Sequence, residues 1–282
     1  MNPENQFPHE AIEKDARLRH YPLSEQPCVL LGPDGKEAAY SYGLDSKKFI
    51  RYMRVGEWWL LDSSFFLKGS DPIQKLDEQK IIWVSNHSPN RKPLHWSHHP
   101  YTANILHALT HVDFKGKVVL DLGCGNGLLG VLALKLGAII AIGIDNDQRW
   151  EGEFLEHANL NGVSDRAQFL YSDLSKPDEW ASSLGNYPID IILANIGPHY
   201  GQTDMLSISL LGRFPSVKAF IGGGYIQAPN GSAHTLSPCR AYVALNKQGF
   251  AITGEIQEIM HTTDGTKKKN RLSFIAIRSN EN

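Results

Sequence analysis

Three glycines in nine residues, Val119-Leu-Asp-Leu-Gly-Cys-Gly-Asn-Gly127, form the stretch whose residue types most plainly promise chemistry. An apolar run carries an acid, Asp121, and then opens into a GxGxG loop at Gly123, Gly125 and Gly127, with Cys124 inside it. Glycines there let a backbone approach a ligand closely and expose amide donors at the start of a helix. Asp145 closes the next apolar run, where an acid can take both hydroxyls of a ribose. Asp173, after a third run, could accept from an adenine amino group, and Asn195 ends a fourth. Asp, Asp, Asp and Asn in succession point to binding of a nucleoside-containing ligand. Nicotinamide and adenosyl ligands fit the ribose acid equally, although the spacing is not the GxGxxG of dinucleotide binders.

These residues need a frame of strands ending along one edge. Lys117–Leu122 and Ile189–Ala194 read as buried strands, Ile139–Ile144 as another apolar run and Gln168–Tyr171 as a short strand, with helical spacing over Tyr101–Val112, Leu128–Leu136 and Arg149–Asn161. Strands alternating with helices predict a parallel sheet covered on both faces, whose carboxyl edge binds ligands. After Ala219–Ile226, the segments Gly249–Met260 and Arg271–Arg278 predict a terminal antiparallel hairpin turning through His261–Asn270. Residues 1–96 have another texture, with eight of the fifteen prolines and short apolar runs such as Trp58–Leu61 and Ile81–Val84. Strand and loop are expected there, with one helix near Ser46–Tyr52.

Charge excludes some classes of partner. The 282 residues carry 28 basic and 30 acidic side chains, so no global positive field draws the chain to nucleic acid or anionic lipid. No apolar run is long enough to span a membrane and no basic-then-apolar leader opens the chain. Three scattered cysteines (Cys28, Cys124, Cys239) show no pairing pattern, so a soluble, reduced, cytoplasmic protein is expected.

The chain resembles the class I S-adenosylmethionine-dependent methyltransferases. Within them it is most similar to the bacterial family that methylates lysines of a large-subunit ribosomal protein. The resemblance is carried by His99-Pro-Tyr-Thr102, Lys117–Gly127, Ala133–Ala138, Gly143-Ile-Asp145, Glu156–Val163, Leu193-Ala-Asn-Ile196 and the closing Gly249-Phe250 with its hairpin. It implies an α/β fold: a Rossmann-like seven-stranded methyltransferase sheet over 97–282, preceded by a strand-and-loop appendage over 1–96. The cofactor implied is S-adenosyl-L-methionine, lined by Thr102, Asp121, Gly123, Cys124, Gly125, Gly127, Asp145, Asn146, Ser172, Asp173 and Asn195. Residues 1–95 do not resemble that family's substrate-recognition domain, and Gly197-Pro-His-Tyr200 replaces its small apolar residues. The Asn-Pro-Pro-Tyr signature of adenine and glutamine methyltransferases is absent.

Methyl transfer from a sulfonium is an in-line displacement that rests mostly on orientation in a dry site. An amine acceptor must still be held neutral and lose a proton. The Asn195 side-chain oxygen and the Ile196 carbonyl are the expected hold, with His199 or Tyr200 taking the proton. The expected function is N-methylation of a protein lysine or amino group; the alternative is a small-molecule amine or hydroxyl in biosynthesis. The sequence leaves the acceptor and the oligomeric state open.

Other groupings read as structural. His95, His98 and His99, with His87, lack a nearby cysteine and defined zinc spacing, so no metal is expected. Lys267–Arg271 reads as a solvated hairpin turn. Trp58-Trp59 and Phe65-Phe66 read as core, Cys124 as packed beneath its loop, and Gly222–Gly224 as a close backbone approach.

Overall fold

A computed structural model describes residues 29–31, 37–44, 50–55, 57–62, 77–85, 100–184, 187–196, 203–227, 238–261 and 268–279. The strands in chain order are β1 (Val29–Leu31), β2 (Glu37–Leu44), β3 (Ile50–Val55), β4 (Trp58–Asp62), β5 (Ile81–Val84), β6 (Val118–Leu122), β7 (Ile140–Asp145), β8 (Ala167–Tyr171), β9 (Ile191–Ala194), β10 (Ala219–Gln227), β11 (Phe250–His261) and β12 (Lys268–Arg278). The helices are α1 (Pro100–Leu109), α2 (Leu128–Lys135), α3 (Trp150–Leu160), α4 (Pro177–Trp180), α5 (Thr203–Ser209) and α6 (Pro238–Lys247). No helix among these residues is long and apolar enough to cross a membrane.

The order β8-β7-β6-β9-β10-β12-β11 gives the seven-stranded sheet, and β6 through β10 run parallel. Chain direction across the sheet reverses between β6 and β9, the point at which open α/β sheets form a crevice at their carboxyl edge. Alternation along β6 explains the two cores. Val118, Leu120 and Leu122 join Trp180, Phe220 and Phe274 on one face, while Val119 joins the side of α1, α2 and α3. Asp121 shares the Val119 face and is directed at α2, a helix that is buried all round apart from its last residue.

The terminal hairpin forms as expected but with a shorter turn. Pairing runs to His261↔Lys268, so Lys268–Arg271 lies in β12, leaving only 262–267 between the strands. The helix expected near Ser46–Tyr52 is corrected: its second half is β3, paired with β2 and β4. Ile50-Arg-Tyr-Met-Arg-Val55 alternates apolar with polar residues through its second half, a period-two pattern that favours a strand over a single turn of helix.

The N-terminal strands continue the same sheet. β1 pairs with β11, and β2, β3, β4 and β5 follow in order outward. This sheet bends back over the helical layer, because Trp58, Leu60, Ile82 and Val84 share one core with Leu106, Leu132 and Phe154. Trp58 is buried, as read from the sequence; the side chain of Trp59 is not described, and Phe65-Phe66 lie outside the described residues. Helices α1, α2 and α3 are therefore sandwiched between two sheet surfaces, with burial of each large apolar side chain worth about 1.5–3 kcal/mol.

Candidate functional site

The glycine loop takes its shape from left-handed residues. Gly123, Gly125 and Gly127 have φ of 66°, 52° and 77°, a conformation that costs other residues about 1–2 kcal/mol each. The loop is also closely packed. A Cβ at Gly127 would overlap the Phe154 ring, and one at Gly143 on β7 would lie 2.7 Å from both Cys124 Sγ and Phe154. The loop differs from expectation in its donors. The Gly123 and Cys124 amides both donate to the Ile144 carbonyl (2.8 and 3.0 Å), and Gly127 donates to the Cys124 carbonyl (2.9 Å). Gly125 donates to Asp145 Oδ2 at 2.9 Å. These amides hold the loop rather than face a ligand, so what the loop offers is close approach.

Strands β6 to β9 each deliver at least one predicted residue to the carboxyl edge. Asp145 ends β7, half-buried, with Oδ1 accepting from the Asp147 amide at 3.0 Å. Burial pushes its carboxyl up, while the Gly125 and Asp147 amides pull it back. Each oxygen keeps lone pairs for a diol. Asn146 beside it is exposed, and Ser172, half-buried after β8, donates its amide to the Asp145 carbonyl at 2.9 Å. Asp173 is exposed and turns onto its own loop, accepting from the Ser175 amide at 2.8 Å, which with the Ser175 side chain lowers its carboxyl below the usual range.

Asp121 lies deeper, one residue inside the end of β6 and 1% exposed. Among the described residues no hydrogen bond reaches either carboxyl oxygen. Burial raises its carboxyl to about 8, opposed by the nearby Gly130 amide and reinforced by the charge of Asp145. Cys124 is buried beneath the loop and its thiol is pushed well above its usual range, first by burial and then by Asp121 and Asp145. That makes it an inert packing residue.

Asn195 and Ile196 leave β9 at the switch point. Asn195 Oδ1 is buried and unpartnered among the described residues, lying where a Cβ on Gly223 of β10 would meet it at 2.8 Å. The same point is 3.0 Å from Cβ of Ile105 on α1. Thr102, half-buried one turn earlier, shares that helix face. Ile196 is buried with Cγ1 3.0 Å from a Cβ placed at Gly123, so its side chain packs on the glycine loop. His199 and Tyr200 lie outside the described residues, as do Lys267, His87, His95, His98 and His99.

The fold thus gathers the glycine loop, Asp145, Ser172, Asn195 and Ile196 along one edge, with Asp121 beneath and Thr102 above. The close backbone approach expected at Gly222–Gly224 is found at Gly223, against Asn195 and Ile105; sequence reasoning gave no site role to Phe154, Gly143 or His157, which shape the site from outside the glycine loop. Gly143 had a signal, as the one residue without a side chain in the apolar run Ile140–Ile144. An adenosyl ligand fits these residues: the carboxylate of Asp145 is preset by two amides, and three buried oxygens, two on Asp121 and one on Asn195, have no hydrogen-bond partner among the described residues.

Comparison with known proteins bears on the same region. Residues 97–198 match the family model described as Ribosomal protein L11 methyltransferase (PrmA). The ribosomal protein L11 methyltransferase of Shigella sonnei (strain Ss046) is 37% identical over 147 residues, covering 51% of this chain and 44% of that protein. That of Escherichia coli O1:K1 is 40% identical over 112 residues, 39% of this chain and 36% of the relative. The chain therefore spans less than half the length of the curated relatives it matches. A crystal structure of ribosomal protein L11 methylase from Lactobacillus delbrueckii subsp. bulgaricus superposes with a TM-score of 0.56 at 18% identity. It covers 81% of this chain and 99% of its own, a likeness of fold.

Proposed function

From the match of residues 97–198 to the ribosomal protein L11 methyltransferase family model, we propose that this chain is an S-adenosylmethionine-dependent methyltransferase acting on a protein lysine or amino group. The observation that carries the reading is the meeting of the glycine loop, Asp145 and the buried Asn195 oxygen at the β6/β9 switch point. In this reading residues 97–282 form the catalytic domain, and the strands before it cover its helices.

The sulfonium cofactor supplies an electrophilic methyl group. The protein's part is placement. Asp145 takes the ribose hydroxyls, and its two amide bonds fix the carboxylate before a ligand arrives. The positive-φ glycines keep side chains out of the ligand's path, while Thr102, Asn146, Ser172 and Asp173 rim the adenosyl and amino-acid ends. Asp121 sits beneath the loop as an acid that burial favours in its uncharged form. Asn195 Oδ1 and the Ile196 carbonyl are acceptors without hydrogens of their own, suited to holding the N–H bonds of a neutral amine with its lone pair toward the methyl. Such a hold favours the in-line geometry over others. His199 or Tyr200 is the proposed proton acceptor.

The test is transfer of radiolabelled methyl from S-adenosylmethionine into fractionated extract of a strain lacking the gene, with Asp145→Ala as the binding control. Label in a discrete protein band, lost in Asp145→Ala, is the expected result. Label confined to small molecules would replace the protein acceptor with a biosynthetic amine or hydroxyl. Asn195→Ala transferring at the wild-type rate would remove that residue's role.

A further inference from the structure

The N-terminal sheet touches the site through one polar seam. Asn161, 8% exposed at the end of α3, accepts from the Trp83 amide and donates to the Trp83 carbonyl, both at 2.8 Å. A neighbouring strand would pair in the same two-way fashion, so the side chain extends the hydrogen bonding of β5 onto the helix. A further Nδ2 hydrogen goes to the His157 carbonyl at 2.8 Å. Ser85 Oγ donates to Glu156 Oε1 at 2.6 Å. His157, 1% exposed, then joins both sides: Nδ1 lies 2.7 Å from the Asn126 carbonyl in the glycine loop and Nε2 lies 3.3 Å from the Ser85 carbonyl.

Packing alone does not require this arrangement, because an apolar ring would fill the same space without burying two nitrogens. Both groups facing the imidazole are carbonyls, which only accept. The ring therefore donates to the loop, to the strand, or, when protonated, to both. Asn126 is flanked by Gly125 and Gly127, so the peptide that His157 holds lies between two of the glycines that shape the loop. Holding that carbonyl restrains the torsions on which close approach depends.

We propose that His157 and Asn161 are positioning residues that couple the N-terminal strand β5 to the glycine loop, so that ligand binding at the loop and docking of the strand strengthen one another. The proposal rests on reading the loop as the S-adenosylmethionine site. It assigns residues 81–85 a part in cofactor affinity although none of them belongs to the glycine loop or the strand ends assigned to the cofactor. Coupling is reciprocal: the factor by which an undocked strand weakens the ligand equals the factor by which the ligand stabilises docking.

The experiment uses the full chain with S-adenosylhomocysteine as probe, amide exchange as one readout and calorimetric Kd as the other. In the wild type the probe should slow exchange over 81–85, the Trp83 amide above all. Asn161→Ala should abolish that slowing and raise the Kd about three- to tenfold, the worth of roughly one hydrogen bond. His157→Asn, which keeps a donor near the Nδ1 position, should hold the loop and still lose the link to Ser85. A probe that binds yet leaves 81–85 unchanged would overturn the proposal, as would Asn161→Ala freeing the strand at constant Kd. If the probe does not bind the wild type at all, the cofactor reading fails, and the coupling is then judged without ligand. Asn161→Ala must raise exchange at Gly123, Gly125 and Gly127, and unchanged exchange there refutes it.

Discussion

Replacing Asp121 by asparagine should reverse its effect on stability across the neutral range. The carboxyl is buried, has no hydrogen-bonded partner among the described residues although the Gly130 amide lies near it, and is raised from 3.8 to about 8. A folded state that keeps a proton the unfolded chain has released is penalised as pH rises. The associated stability is complete below about pH 4 and is lost progressively until the folded carboxyl ionises near 8. Each pH unit in that window removes about 1.4 kcal/mol, so between pH 5 and pH 8 the wild type should lose ~4 kcal/mol through this group. Asparagine has no such titration, but its amide hydrogens meet a site without placed acceptors, at a constant cost of about 1–3 kcal/mol. The variant should therefore be the less stable protein at pH 5 and the more stable at pH 8. Urea unfolding followed by circular dichroism at half-unit pH steps reads the difference directly. If the two stability curves run parallel from pH 5 to pH 8, Asp121 is not held protonated and the account of its burial is wrong.

Gly127→Ala forces a left-handed alanine and drives a methyl into the Phe154 ring. It should cost about 2–5 kcal/mol, from about 1–2 for the backbone and about 1–3 for overpacking, and Phe154→Leu in the same chain should recover part of the lost melting temperature. Gly223→Ala pushes a Cβ to 2.8 Å from Asn195 Oδ1; methyl transfer should fall at least tenfold on the scale of about 1.4 kcal/mol per decade, while the far-ultraviolet spectrum stays that of the wild type. The buried His157 is held below its usual 6.5, chiefly by burial against the pull of the Asn126 and Ser85 carbonyls and Glu156. Its stability contribution is complete above pH 6.5 and declines as pH falls below it, so His157→Asn should flatten that acid limb of the unfolding curve.

The seven-stranded sheet and its carboxyl edge were legible because they depend on local signals. Apolar runs of four to six residues mark β6, β7 and β9, and Gly123–Gly127 needs no distant partner to predict its turn. What was not legible depends on contacts between segments remote in sequence. Ser46–Tyr52 offered no periodicity strong enough to reveal β3, whose pairing with β2 and β4 fixes it. That the loop amides would be consumed by Ile144, Cys124 and Asp145 follows from the register of β6 against β7, which composition does not encode. His157 reads in sequence as one polar residue on an amphipathic helix. Only the return of Ser85 to α3, 72 positions away, gives it a second partner.

The pairing of β1 with β11 has a consequence for synthesis. Leu30 and Leu31 find their partners in Glu258 and Gln257, so the first described strand waits for a segment made more than 200 residues later. Until that segment emerges, β1 and β2 present an open edge to the cell, which is where unfinished β-structure is most exposed to mispairing. The β5 seam with α3 requires far less chain, and a nascent protein can secure it first. The order of closure is then fixed by topology: inner strands dock on the helices early, and the sheet is completed across its oldest and youngest ends last, a long-range step that slows folding.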